Sequence, residues 1–540
     1  MSTNYDYIRN DELRRQFYYG SVFKINIDCD SILESISLGL NEYIDKISKP
    51  PTSLTAQETT NLEEWKDIIL QQCQENLNKH RHQFKSNSQR GADAISHLKL
   101  IREHFTITKV DKLTHNMAFT CKQYYLHKLY SELFSDAYSP ATNNYDEIMR
   151  RHQAFNAKYN YKHISTLPYL YGIPKLHKTP PKLRYIAGVS SPIERQPNTT
   201  ALQRIFNRPN HTPTCSTTTA SKKLCRFLQS IISILKHKDD MFFHATGYRR
   251  LWFITAIDDV FRDLKFDAPV LKGKKPRTFD FTQMYTKLPQ QRIIDNIRKA
   301  ITEAQQYRQS LPADTSVPLL PDPDIVMDHV IFIVANTYLG NDPDNLRQQT
   351  IGLPMGTNSA PEIANLCLYA DESSFIDDLL SRNDVQTARK YASTKRYIDD
   401  LLLWDLSPPP IATYGLEYSE TTEPDGSVTF LGAQIRTLSN GYISLAIYDK
   451  TSSWNFPVIR YTHGHSNVPT HQATGIVFSQ LTRYRLICNS TTNFKKAATS
   501  LVTKLLERNH PPNVILRGWE RYLIKYSMHD DNEKNTALRI

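Results

Sequence analysis

The chain has 540 residues, too many for one compact core, and 40% of them are hydrophobic, which excludes a disordered or fibrous protein. Lys and Arg outnumber Asp and Glu by 66 to 55, a formal net charge of +11 that favours a polyanionic partner. No apolar run is long enough to span a bilayer and no apolar signal core opens the chain, so neither a membrane protein nor a secreted one is expected.

The seven cysteines (Cys29, Cys73, Cys121, Cys215, Cys225, Cys367, Cys488) are scattered and never spaced as a CxxC pair. That pattern argues against a disulfide framework or a zinc knuckle and for a reducing intracellular compartment. Residues 1–100 are polar, with an interruption at Lys49-Pro-Pro-Thr-Ser53 and a basic run at Lys79–Lys85, and read as helices joined by loops. From Tyr161 to Arg208 the composition changes. Eight basic residues (Lys162, Lys175, Lys178, Lys182, Arg184, Arg195, Arg204, Arg208) stand against Glu194, with tyrosines and prolines interleaved. Basic side chains neutralise phosphates and aromatic rings stack bases, although the same composition also makes an ordinary basic loop.

Arg277–Tyr285 reads as a short strand ending near Asp280, followed by a turn and a helix. An acid at a strand end can hold a metal ion, or simply cap the next turn. Gly352-Leu-Pro-Met-Gly356 precedes Ser359, Pro361 and Glu362, a capping-box pattern that predicts a helix running to about residue 380. Lys395–Trp404 then sets Asp399 and Asp400 between apolar runs, which predicts a β-hairpin lifting carboxylates out of a sheet. Two similar acidic pairs, Asp258-Asp259 and Asp377-Asp378, fall in helical spacing and read as solvated helix faces.

The third pair alone follows a basic Pro/aromatic patch, a strand-end Asp and a Gly-Pro turn, in that order. Phosphoryl transfer to a 3′-hydroxyl needs two divalent cations a few ångströms apart, bridged by carboxylates, and this order of elements can supply them. Between Gly475 and Lys525 lie nine basic residues, Arg483, Arg485 and Lys496 among them, against Glu507 and Glu520. Leucines and isoleucines at helical spacing predict a small helical unit there, either clamping a duplex or simply solvated. His463, His465 and His471 lack cysteines at zinc-ligand spacing and read as ordinary residues.

At these motifs the chain resembles the reverse transcriptases of Penelope-like retroelements, a group related to telomerase catalytic subunits. The similarity runs over roughly residues 105–515, from Thr108-Lys-Val-Asp-Lys112 through Leu170-Tyr-Gly-Ile-Pro-Lys-Leu-His-Lys178, Asp280–Thr286, Gly352–Gly356 and Arg396–Asp400. It closes at Phe430-Leu-Gly432, Tyr448-Asp-Lys450 and Gln480–Tyr484.

The resemblance implies an α+β right-hand polymerase. A mainly helical N-terminal extension (1–155) would pack on the fingers or help to bind RNA. Fingers (156–270), a palm with an antiparallel sheet (271–445), a helical thumb (446–528) and a polar tail (529–540) would follow. It implies an RNA-directed DNA polymerase, acting in the nucleus on an RNA template, a DNA primer or 3′ end, and deoxynucleoside triphosphates. Asp280, Asp399 and Asp400 would hold two Mg2+ ions, replaceable by Mn2+, with the backbone carbonyl of Phe281.

Lys175, Arg184, Tyr285, Met355 and Gly356 would line the nucleotide site, Tyr285 as a steric gate against the ribose 2′-hydroxyl. Phe430, Leu431 and Gly432 would grip the primer. Lys178, Lys182, Lys450, Arg483, Arg485 and Lys496 would contact nucleic acid. The chain departs from the family at Tyr185, usually Pro, and at Asp449-Lys-Thr-Ser452, usually Arg-Lys-Pro-Thr. Nothing after residue 526 matches the GIY-YIG endonuclease of many members, so endonuclease-lacking members or a host gene derived from one are the nearer match. The alternatives are a catalytically retired nucleic-acid-binding protein and a polymerase with relaxed template or sugar choice.

Overall fold

The computed structural model describes residues 1–21, 29–47, 55–79, 92–162, 164–188, 215–339, 345–452, 454–466 and 468–526. The interruption at 49–53, all but Lys79 of the basic run at 79–85, the tail at 529–540, and Glu194, Arg195, Arg204 and Arg208 lie outside the described residues.

Four helices come first: α1 (Asp11–Tyr19), α2 (Cys29–Ile47), α3 (Ala56–Lys79) and α4 (Ala92–His104). Asn10 starts α1 by accepting the Leu13 amide, one of the donors that a helix start leaves free. A hairpin of β1 (Phe105–Val110) and β2 (Leu113–Cys121) follows, then α5 (Lys122–Leu133), β3 (Tyr138–Pro140) and α6 (Tyr145–Lys158). Tyr5, Leu13, Phe17, Leu98 and Met117 form a small separate core under this region. A second hairpin, β4 (Tyr169–Lys175) and β5 (Lys182–Gly188), packs on β1, and helices α7 (Thr218–Thr246) and α8 (Ile257–Phe266) come next.

The central sheet grows from β6 (Pro276–Phe281). After it come α9 (Met284–Lys287), α10 (Gln290–Ser310), α11 (Pro323–Ala335), β7 (Tyr338–Leu339), β8 (Arg347–Gln349), α12 (Ala360–Ser381) and α13 (Val385–Lys390). Then β9 (Lys395–Tyr397), β10 (Asp400–Trp404), α14 (Ile411–Tyr414) and β11 (Tyr418–Glu420) complete an antiparallel sheet of order β11-β6-β10-β9. Its strand β10 is buried on both faces. Leu401 and Leu403 meet Trp252, Phe279 and Ile376, while Leu402 and Trp404 meet Val260, Phe261, Ile435 and Leu445. Each such side chain contributes about 2 kcal/mol by leaving water, so the hairpin's position is firmly held. The largest core packs α7, α10, α11 and α12 against Phe281 and Met284.

A second antiparallel sheet, β12 (Val428–Phe430), β13 (Ala433–Thr437) and β14 (Ile443–Ile447), leads to α15 (Thr470–Ile487), α16 (Thr491–Glu507) and α17 (Pro512–Tyr526). Leu481, Leu501, Leu505, Ile515 and Trp519 give these three helices their own core. The fold is α+β: a four-stranded antiparallel sheet backed by helices, a two-stranded hairpin of β4 and β5, a second antiparallel sheet and a three-helix unit. No helix among the described residues is long and apolar enough to cross a membrane.

One local expectation fails. Ser359 and Glu362 do not form a capping box, since the Ser359 side chain makes no cap hydrogen bond. Its hydroxyl turns instead to Ser221 of α7 at 3.0 Å, and Glu362 accepts from Cys225 and Gln229. A tertiary partner on α7 outcompetes the local one. The helix nevertheless begins at Ala360 and ends at Ser381, close to the expected end.

Candidate metal centre and surrounding cleft

Asp280 and Asp400 face each other across β6 and β10 as a direct antiparallel pair. Asp399 sits in the turn before β10, and the Phe281 amide donates to its carbonyl at 3.1 Å. Ile398, the residue before it, has φ +57°, a left-handed conformation that costs a β-branched residue energy and needs support from its surroundings. One carboxylate oxygen of each of the three aspartates lies within 4.8 Å of the others, the sole group of metal-ligand type among the described residues.

Three like charges this close disfavour ionisation. Burial and then the charge of Asp399 raise Asp280, against the pull of Lys112, Lys178 and Lys450. The surrounding protein, then Asp399 and Asp280, push Asp400 up to about 6. An all-oxygen donor set with three crowded carboxylates fits a hard divalent cation such as Mg2+ or Mn2+, and does not fit a thiolate-seeking one. The other acidic pairs are elsewhere. Asp258 and Asp259 lie in the first turn of α8, and Asp377 and Asp378, on α12, pair with Arg250 and Arg382.

Arg396 supports the turn from beneath. Its guanidinium is fully buried and spends all five N–H groups. Two go to Glu372, at 2.5 and 3.2 Å, two to the side chain and backbone oxygens of Asn365, each at 3.1 Å, and one to the Ile398 carbonyl at 3.1 Å. Burial pushes Glu372 up to about 7, with Arg396 opposing. The carbonyl that precedes Asp399 is thus tied to a bidentate ion pair on α12.

Of the expected nucleotide-site residues, Tyr285 feels the charge of Asp399 and Lys175 that of Asp280, while Arg184, Met355 and Gly356 are held by Asp111 and Ala187. Tyr285 packs against the main core, and burial followed by the charge of Asp399 pushes its phenol well up. Its carbonyl accepts the Leu353 amide at 2.7 Å, and a Cβ on Gly352 would meet that carbonyl oxygen at 2.2 Å, so only glycine fits. Met355 accepts the Ala187 amide at 2.8 Å, and a Cβ on Gly356, at φ +113°, would strike the Ala187 carbonyl. The 352–356 loop therefore bridges α9 and the β4–β5 hairpin. On that hairpin Lys175 lies opposite Lys182, and Arg184 pairs with Asp111 at 3.5 Å. Burial and then Arg184 lower Lys175, whose surroundings include Asp280. Lys178 sits at the exposed hairpin turn.

Phe430-Leu431-Gly432 makes the tight turn between β12 and β13, with φ +52° at Leu431 and +78° at Gly432. Arg483 of α15 lies over it, its Nη2 2.4 Å from where a Gly432 Cβ would stand. Arg485 stacks on Tyr526 instead. Lys496 lines a separate cavity of about 900 Å³ beside Asp449, which Lys504, Thr451 and Arg460 hold below the usual carboxylate range against the upward push of burial. His463 accepts the His465 amide at 3.2 Å and contacts Asn509, so it is engaged within the fold.

A family model described as the animal helix-turn-helix domain matches residues 460–519, which span α15, α16 and part of α17. No curated protein matches the sequence. Among solved structures, telomerase from Candida albicans in complex with a fragment of telomeric RNA shares 11% identity, covering 89% of this chain and 69% of that one at a TM-score of 0.47. Apo telomerase from Candida tropicalis shares 10%, covering 95% and 76% at 0.47. The RNA-dependent RNA polymerase of a human picobirnavirus shares 12%, covering 99% and 92% at 0.35.

One polar pair in the site escaped the sequence reading, and a second, inside the Thr108–Lys112 motif, was given no role there. Glu372 and Asn365 stand seven residues apart on one face of α12, a polar pair in an otherwise apolar stripe. That spacing was the available signal, but nothing local names Arg396 as their partner. Asp111 and Lys112 come from the N-terminal hairpin, and only its packing on β4 brings them to the aspartates.

Proposed function

We propose that the chain is an RNA-directed DNA polymerase, a reverse transcriptase of the Penelope-like retroelement type, which extends a DNA primer 3′-hydroxyl with deoxynucleotides on an RNA template. The observation that carries this reading is the meeting of Asp280, Asp399 and Asp400 at the end of two paired strands, with one oxygen from each within 4.8 Å. Two Mg2+ or Mn2+ ions, held by these carboxylates and the Phe281 carbonyl, would lower the pKa of the attacking hydroxyl and neutralise charge on the triphosphate.

The protein's own residues bind and orient. Lys175 and Arg184 hold the triphosphate, Gly356 lets the loop lie against the Ala187 carbonyl beside the nucleotide, and Tyr285 fills the space that a 2′-hydroxyl would need. The Phe430–Gly432 turn, with Arg483 over it, aligns the primer end. The primer oxygen bonds to the α-phosphorus as the bond from that phosphorus to the bridging oxygen breaks. The electron pair leaves with pyrophosphate, and the hydroxyl proton passes to solvent. In this reading residues 156–270 act as fingers, 271–445 as palm and 446–528 as thumb, and Lys178, Lys182, Lys450, Arg485 and Lys496 meet nucleic acid backbone. A nuclear site of action follows from the proposed substrate.

Primer extension by the purified protein on RNA and DNA templates, with ribo- and deoxynucleotides, tests it. Asp280→Asn or Asp399→Asn should abolish extension while template-primer affinity stays within about threefold, because these carboxylates hold metal rather than phosphate. Asp258→Asn and Asp377→Asn are the controls. Equal losses in the controls would overturn the site.

A further inference from the structure

The second sheet has one face in the core and one face covered but not filled. Ile435, Ile443 and Leu445 enter the core shared with β10. The alternate residues, Gln434 paired with Ala446 and Arg436 with Ser444, point the other way. Helix α16 lies over that face with its polar side, since Ala498 and Leu505 are spent on the three-helix core. Between helix and sheet is a cavity of about 900 Å³, with Lys496, Ala497 and Ser500 on one wall and Arg436 and Ala446 on the other.

A helix laid on a sheet ordinarily meets it with apolar side chains. Here hydrogen bonds and ion pairs hold the two together at their ends. Asn493 donates to the Ser444 hydroxyl at 3.1 Å and to the Leu445 carbonyl at 2.9 Å. Asn489, just before the helix, accepts the Leu445 amide at 2.9 Å and donates to the Ile443 carbonyl at 2.7 Å. At the far end Asp449 takes Lys504 from the helix and Arg460 at 2.8 Å, and the Thr451 amide and hydroxyl donate to the same carboxylate. Small residues keep the middle open, so the space is formed before any ligand enters.

The lining is one-sided in charge: Arg436, Arg460, Lys496, Lys504 and Arg508 against Asp449 and Glu507. Asp449 already answers Arg460 and Lys504, and Arg508 donates to the Tyr18 and Tyr19 carbonyls. Arg436 and Lys496, both exposed, make no ion pair among the described residues. None of Asp280, Asp399 and Asp400 lines this cavity.

We propose that the cavity under α16 is a phosphate-binding site separate from the metal centre, in which Arg436 and Lys496 receive a phosphate group of a free nucleotide or of a nucleic-acid strand. Such a group gains charge-assisted hydrogen bonds without breaking an existing pair, and Arg460 and Lys504, held by Asp449, add to the positive potential. The site stands whether or not the polymerase reading does.

The test is calorimetric binding of inorganic tripolyphosphate to the full chain with divalent cations chelated, so that the three aspartates repel the probe and the polymerase reading does not enter. Wild type should bind saturably at one site. Arg436→Glu should weaken binding by about tenfold or more, equal to at least about 1.4 kcal/mol, and Arg436→Lys should stay within about threefold. Ala446→Leu keeps every cation but fills the cavity, and should weaken binding as much. Arg298→Glu, a charge reversal at an exposed position of α10, should leave it within about threefold. Absence of saturable binding overturns the proposal. So does an equal loss in Arg298→Glu, which means diffuse surface charge, or full binding in Ala446→Leu, which puts the anion outside the cavity. Competition then names the source. Displacement by a short oligodeoxythymidylate with hydroxyls at both ends assigns the site to a strand, and displacement by deoxynucleoside triphosphate alone assigns it to a free nucleotide.

Discussion

Glu372→Gln leaves the Arg396 guanidinium fully buried without its carboxylate. The amide matches the carboxylate in shape, so packing is kept and the charge is what changes. Two of the five Arg396 hydrogen bonds end on Glu372, and one of the replacement's two terminal atoms is a donor facing a donor. Breaking one side of a buried pair costs about 3–5 kcal/mol, which for a chain of 540 residues predicts a melting temperature lower by roughly 3–4 °C. The catalytic effect should be separate. Arg396 also donates to the Ile398 carbonyl, so a guanidinium that shifts towards other acceptors moves the turn that carries Asp399. A displacement of about 1 Å at the reacting centre can cost about 100-fold in rate, so kcat should fall while the KM for template-primer holds. Thermal unfolding read alongside steady-state primer extension separates the two. The double variant Glu372→Leu with Arg396→Met should recover most of the stability, since an apolar pair of similar volume often replaces a buried ion pair at little cost. It should not recover kcat, because no donor then meets the Ile398 carbonyl. A melting temperature within 2 °C of wild type in Glu372→Gln, with kcat unchanged, would refute the reasoning.

Tyr285→Ala should raise ribonucleotide use relative to deoxynucleotide by about tenfold in the ratio of kcat/KM, equal to about 1.4 kcal/mol of discrimination. A fixed ratio with reduced total activity would make Tyr285 a packing residue only. Template-primer binding should weaken steeply with salt, and Arg483→Ala combined with Lys496→Ala should lower the slope by up to about one unit per lost phosphate contact. An unchanged slope places both on a solvated surface. Asp400, raised to about 6, must release its proton to bind a cation, so apparent Mg2+ affinity should fall as pH drops through about 6 and level off above it. Mg2+ titrations between pH 5 and 8 with no such trend would remove Asp400 from the metal set.

The local pattern of the chain already determined the carboxylate hairpin. Lys395–Trp404 has apolar runs on both sides of two acids, and a strand buried on both faces admits that pattern in one register. The helix after Gly352–Gly356 was equally legible, since Pro361 pre-sets its first turn and apolar residues repeat along it. The placing of Asp258-Asp259 and Asp377-Asp378 on helices followed from the same periodicity. What needed the tertiary structure is every contact between segments far apart in sequence. The Ser359 cap looked complete locally, yet α7 offered Ser221 and the hydroxyl took it. Arg396, Asn365 and Glu372 are 31 and 24 residues apart, and their shared hydrogen bonds exist only because α12 runs under the hairpin. Asp111 and Lys112 stand 63 or more residues before Lys175 and are tied to it through the Pro174 carbonyl. Local pattern can encode periodicity and turn chemistry, which act over a few residues. Electrostatic pairing is set by distance in space, and only the packing of the whole chain decides that.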